Sequence, residues 1–366
     1  MSLKKIAEMV GTSPSTVSRV LNHTSDSCAS KELSRRIWDA AQEIGYRPNE
    51  SARNLRRKES QDEQPFRVSV VMARFHELRA DPFFEDLMDC LKRELFAQGA
   101  LLHQVIYDEN EISDIKSTDG VIILGRCSRE LLDAIRRKTR HVVGIWRNSM
   151  EFDVDEVLCD GRKAAEMAME HLYSLGHRKI AYIGVCSHES RYVGYCNSLI
   201  QHGLPMDYDL IKPTNQTSEG ADGAIRELLD GEADFTAIFC ANDVTAVRVL
   251  DVLNNENKRM LREERLRSQI QTKQQGFPSD EQPRTRKRKG SQGQHNISVI
   301  SIDNMEDCQN TTPYLTSIQI PRAEMAHMAV NLLIDRMQGH HQEMIRVEFP
   351  CRLIRRDSCY PVGQSG

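Results

Sequence analysis

Leu3, Ile6, Ala7 and Val10 recur at helical spacing, and Gly11 ends the run where a left-handed residue costs least. Ser13 predicts an N-cap and Pro14 the first residue of a second helix, in which Val17, Val20 and Leu21 share one face. Ser15, Ser18, Arg19 and Asn22 fall on the opposite face, so that face is polar. A third helix is expected over 30–44, capped by Ser30, with Leu33, Ile37, Ala40, Ala41 and Ile44 inward and Gly45 as terminator. Three short helices with facing apolar sides make one small core.

From Phe66 onward the period changes. The β-branched runs FRVSVVMA, LLHQVIYD, GVIILG and HVVGIW alternate with helical stretches, the first over 83–98. After Cys159 come a helix over 166–175 ended by Gly176, the strand RKIAYIGV, and then FTAIFCAND and ISVISIDN. This alternation predicts an α/β fold with doubly wound parallel sheet in two halves, and ligands in such folds sit at the C-terminal ends of strands. A chain of 366 residues exceeds what one core organises, so a small head and a two-lobed body is the expected plan.

Composition narrows the function. Residues 1–58 hold eleven Lys and Arg against six Asp and Glu, whereas the whole chain has a net charge of −4. A basic head on an acidic body suits a polyanion held by the head alone. A tight two-helix turn followed by a third helix is the geometry that puts the second helix into the DNA major groove. Ser15 and Arg19 are the expected base contacts, Arg19 being suited to guanine; Thr16, Ser18 and Asn22 suit phosphates, or, for Thr16 and Ser18, local capping. No apolar run is long enough to span a bilayer, and the first residues do not form an export signal, which leads to the expectation of a cytoplasmic protein. The ten cysteines are scattered and are expected to be reduced and mostly buried. No P-loop, G-x-S-x-G or metal-ligand cluster occurs, so neither catalysis nor a cofactor is expected.

The run SPSTVSRVLN at 13–22, followed by YRPNESARNLRR at 46–57, resembles the head and hinge of the lactose-repressor and galactose-repressor family. EHLYSLGHRKIAYIG, RYVGY, CANDVTAV and SVISIDN resemble the landmarks of its core, which is similar to periplasmic sugar-binding proteins. The resemblance implies a homodimeric repressor that binds double-stranded operator DNA and answers to a small effector, most simply a sugar. It implies domains at 1–48 (head), 49–64 (hinge) and 65–362 (effector binding and dimerisation). Within the last, the N-lobe is expected at 65–158 and 317–341 and the C-lobe at 159–316 and 342–362. The hinge would place Asn49, Ala52 and Leu55 at the DNA, with Leu55 as a minor-groove wedge.

By the same resemblance Arg191 and Asp243 hold sugar hydroxyls, a sensible pairing of fixed donors with a carboxylate acceptor; a salt bridge or helix cap is the alternative. Asp160 and Asp303 stand at strand ends as further polar candidates or caps. Phe83 or Phe84 either stacks on a sugar face or fills a helix core, and Trp146 and Arg147 stay equally open. Two departures stand out. Asp160 is followed by Gly161 where the family has asparagine, and residues 256–294 form a Gln-rich, basic insertion whose first part, 258–273, could extend a helix.

Overall fold

The structure is a computed structural model that describes residues 3–22, 29–44, 46, 65–73, 82–107, 112, 115, 117–187, 189–274 and 297–362. Strands β1 to β6 are Arg67–Met72, Leu101–Ile106, Gly120–Leu124, Val142–Trp146, Asp155–Leu158 and Ile180–Gly184. Strands β7 to β12 are Ile211–Pro213, Ala237–Cys240, Ser298–Asp303, Thr316–Gln319, Arg346–Glu348 and Arg352–Ile354. Helices α1 to α5 are Leu3–Val10, Pro14–Asn22, Lys31–Glu43, Pro82–Ala97 and Arg129–Arg136. Helices α6 to α10 are Gly161–Ser174, Ser190–Gln201, Ser218–Asp230, Asp243–Gln274 and Arg322–Met337.

The chain divides into two compact units, residues 1–158 with 321–349 and residues 159–320 with 350–366. In the first, α1, α2 and α3 close on Ile6, Ala7, Val10, Val17, Val20, Leu21, Ile37, Ala40 and Ala41. Gly11 takes the left-handed φ of 72° that the α1–α2 turn requires. Ser13 caps α2 by accepting the Thr16 N–H at 3.1 Å, and Ser30 caps α3 by accepting the Leu33 N–H at 3.3 Å. The outer side of α3 meets α4: Trp38 stands edge-on to Phe96 with ring centroids 4.9 Å apart, and Arg35 donates to Asp89 at 2.8 Å.

The N-lobe sheet has the order β11-β5-β4-β3-β1-β2 and is parallel throughout. Its apolar strands are buried on both faces, as parallel sheets wrapped by helices are. The C-lobe sheet has the order β12-β10-β9-β8-β6-β7, parallel except where β12 runs antiparallel to β10. From β6 the order runs to β7 on one side and through β8 and β9 on the other, so the switch point lies between β6 and β8.

Two expected boundaries move. The expected second crossing lies between 316 and 317, but β10 pairs with β9 in the C-lobe, so the chain leaves that lobe only after Ile320. The expected third lies between 341 and 342, but β11 pairs with β5 in the N-lobe, so that crossing falls after Phe349. The helix expected over 258–273 is real as part of α9, which has 32 residues. Residues 275–296 of the insertion lie outside the described residues.

Candidate functional site

On the head, α2 turns one polar face away from the core. Ser13, Pro14, Ser15 and Arg19 are exposed, while Thr16 and Ser18 are half-buried. The Ser13 hydroxyl sits 2.8 Å from those of both Ser15 and Thr16, so the first turn is a small hydroxyl cluster. Arg19 folds back lightly, its Nε donating to the Ser15 carbonyl at 3.4 Å. Asn22 ends the helix. An exposed, neutral-to-basic helix face preceded by a tight turn has the shape and donor set for a DNA groove. Asn49, Ala52 and Leu55 lie outside the described residues.

In the C-lobe the ends of β6, β8 and β9 bring polar groups together at the switch point. Arg191 lies in the first turn of α7 and is 4% exposed. Its Nη1 donates to the carbonyl of Ala241, just past β8, at 2.7 Å, which bridges the switch point. Nε and Nη2 each donate to Glu189 at 2.9 Å, and Nη2 also donates to the side-chain Oε1 of Gln216 at 3.1 Å. Burial works to lower the Arg191 pKa, but Glu189 and Asp303 more than reverse this and keep it firmly charged.

Gly194, the last residue of the R-x-x-G motif, explains how α7 gets this close. A Cβ there would lie 2.5 Å from the Arg162 carbonyl oxygen and 2.7 Å from Ala165, both on α6. The glycine therefore permits the α6–α7 contact that holds Arg191 in place.

Asp243 is engaged inside the C-lobe. It is 2% exposed and accepts from Ser301 Oγ at 2.5 Å, Ser317 Oγ at 2.7 Å and the Met305 N–H at 2.5 Å. Burial pushes its pKa up, against the opposing pull of these bonds and of the Cys308 thiol. Asp243 fastens β9 and β10 to the start of α9, and the cap of that helix is Asn242, whose Oδ1 accepts the Thr245 N–H at 3.1 Å. Asn242 also donates to the backbone carbonyl of Gln216 at 3.3 Å, which ties the β8 end to the turn bearing Gln216.

Asp160 is the N-cap of α6, accepting from Arg162 at 2.8 Å and Lys163 at 3.4 Å, and it pairs with the Arg162 guanidinium. Asp303 is buried with φ 116°, and Asn304 follows at φ 51°. Two consecutive residues with positive φ at a strand end are the kind of strain that fixes a site.

In the N-lobe Phe83 and Phe84 are both buried and meet edge to face at 5.3 Å. The guanidiniums of Arg147 and Arg322 stand 4.7 and 5.6 Å from the Phe83 ring centre, so cations rather than open space line that ring. Trp146 is a core residue, 3% exposed and packed on Phe152. Its indole lies against Gly144, where a Cβ would come within 1.9 Å. Phe83, Phe84 and Trp146 are all packed in the N-lobe interior.

Glu189, Gln216, Asn242, Ser301 and Ser317 were not singled out from the sequence. Glu189 carried a local signal, an acid at the N-cap two residues before Arg191. The serines carried none, because they reach Asp243 from 58 and 74 residues away. Among the described residues no group of three or more metal-ligating side chains occurs, and no helix is long and apolar enough to cross a membrane.

Comparisons with known proteins take in both the head and the lobes. The family described as periplasmic binding proteins and sugar binding domain of LacI family matches residues 70–357, and bacterial regulatory proteins of the lacI family match residues 2–49. The HTH-type transcriptional repressor CytR of Escherichia coli strain K12 is 29% identical over 374 residues, spanning 98% of this chain and 96% of CytR. The solved complex of the transcriptional regulator CelR with cellobiose has a TM-score of 0.64 at 23% identity, covering 98% of this chain and 99% of that one. The Lac repressor dimer bound to operator and the anti-inducer ONPF has a TM-score of 0.63 at 18% identity, with the same coverage. Since the two matches together take in the DNA-reading head and both lobes, the chain belongs to the LacI family of bacterial regulatory proteins.

Proposed function

We propose that this transcriptional regulator is a cytoplasmic homodimer that represses by placing α2 of each head in the major groove of an operator, and that an uncharged sugar controls it. Ser15 and Arg19 read base edges; Ser13, Pro14, Thr16, Ser18 and Asn22 hold the backbone; Asn49, Ala52 and Leu55 act from the minor groove. The observation that carries the reading is the meeting of Arg191, Gln216, Asn242 and Asp303 at the C-terminal ends of parallel strands, in a chain that also carries an exposed α2 face. Polar groups of both signs of hydrogen bonding, partly pre-bonded to one another, suit hydroxyl groups. The cellobiose bound to CelR and the operator-bound Lac repressor dimer support the ligand class and the assembly.

An effector that binds one conformation more tightly shifts the population and so changes operator affinity; no chemical step is needed. The test is footprinting of the intergenic DNA beside its gene, with and without a sugar panel. Arg191→Ala should keep the footprint and lose the sugar response, while Arg19→Ala should relax sequence preference at a cost of about 1–3 kcal/mol on the operator. No protected site at any salt concentration would refute the DNA-reading role, and an unaltered sugar response in Arg191→Ala would remove that residue from the effector site.

A further inference from the structure

Arg191 spends most of its hydrogen-bonding capacity on one neighbour. Glu189, at the N-cap of α7, meets the guanidinium with both carboxylate oxygens at 2.9 Å, and its Oε1 also accepts the Arg191 backbone N–H at 3.2 Å. Ala241 and Gln216 take two further N–H groups. A guanidinium has five N–H donors, so these four bonds leave about one, on Nη1, for anything else.

An arginine that grips phosphate or carboxylate presents its paired donors to the ligand and brings a net positive charge. Here the paired edge, Nε with Nη2, is already filled by a carboxylate, and that carboxylate cancels the charge. Asp303 acts on Arg191 as a second negative group. An anion arriving at this strand end meets one donor and two carboxylates. A hydroxyl asks only for one donor and one acceptor, and the Gln216 amide Nε2, a buried donor with no partner among the described residues, offers a further contact.

We propose that Glu189 is the positioning and charge-setting residue of the effector site: it aims Arg191, cancels its charge, and so makes the site accept an uncharged polyhydroxy ligand while rejecting the phosphorylated form of the same ligand. This rests on the effector-site reading above, and the test separates the two. Inorganic phosphate is the first probe, because it does not depend on which sugar binds. Millimolar phosphate, against chloride at equal ionic strength, should leave the melting temperature of the full-length wild type unchanged. Glu189→Gln should gain a saturable phosphate response at least about tenfold stronger than wild type. That response should vanish in Glu189→Gln with Arg191→Gln, and Glu189→Asp, which keeps the charge, should hold it near the wild-type level.

The second probe is a pair of sugars, D-ribose and cellobiose, each beside its phosphomonoester. Wild type should favour the neutral member by about tenfold or more, and Glu189→Gln should collapse that ratio. Equal weakening of both members would mean that Glu189 merely supports the fold, and would overturn the proposal. So would a saturable phosphate response in wild type, a measurement that holds even if Glu189→Gln melts too low to assay. If neither sugar binds but the phosphate results come out as expected, the sugar reading fails, and only the charge-setting role of Glu189 toward Arg191 stands.

Discussion

Asp155 shows how much a single buried charge asks of its surroundings. It is fully buried on β5, and it is held by Arg336 at 2.6 and 2.7 Å, the Ile345 N–H at 2.8 Å and His341 at 2.9 Å. Burial alone would raise its pKa, but these bonds together outweigh it and hold the carboxyl below its ordinary value of 3.8. A carboxyl depressed in the folded chain stabilises it above the ordinary carboxylate range. That stabilisation fades as acid carries the pH through this range and on through the lowered folded value. Asp155→Asn should therefore flatten the acid limb of a stability-against-pH curve, and matching acid limbs would contradict this. Arg336→Ala should cost roughly 3–5 kcal/mol by denaturant unfolding near neutral pH, because it strands the carboxylate. Asp243 is also buried, but with two serine hydroxyls and a backbone N–H as partners in place of a guanidinium, burial prevails and its pKa is pushed up.

Among the elements, the head helices and the apolar strands were legible because their signals are local. Caps, a glycine terminator and runs of β-branched residues sit next to one another in the chain. Strand β5 has no local signal: its sequence DEVL carries two acids, and their burial is made tolerable by partners that include arginines from distant segments, Arg336 and Arg346. The same limit displaced two lobe boundaries, since short strands such as β11 are defined by their neighbours and not by their own composition. At the helix pair α6 and α7 the glycine of the motif was visible, but not its reason. Gly194→Ala should push the two helices apart, lower stability by about 1–3 kcal/mol and weaken effector binding through Arg191; thermal melting and a binding assay together check it. On α9, the core-facing Val249, Leu250, Val252 and Leu253 all precede the insertion. Deleting 258–293 should therefore leave the melting temperature and operator affinity close to wild type, and a large loss of either would assign the insertion a structural or DNA-binding role.

The whole molecule separates charge by task. The basic head faces a polyanion, whereas the remainder must stay off it, so operator affinity should fall steeply and log-linearly with salt. The expected plan of a small head and two lobes emerged from periodicity and charge. The interior of the effector site was much less readable, because it is assembled from three strand ends that only the fold makes neighbours.

The chain has two tryptophans, and the fold gives them opposite fates. Trp146 is sealed in the N-lobe, while Trp38 is half-buried on the head, against Phe96 at the seam with α4. The protein thus carries its own optical probe of that seam. Acrylamide should extinguish one portion of the emission and spare the other, and Trp38→Phe should remove the extinguishable portion. From there, following the light from Trp38 while operator is titrated in would report, without any label, whether the head keeps its seat when it takes hold of DNA.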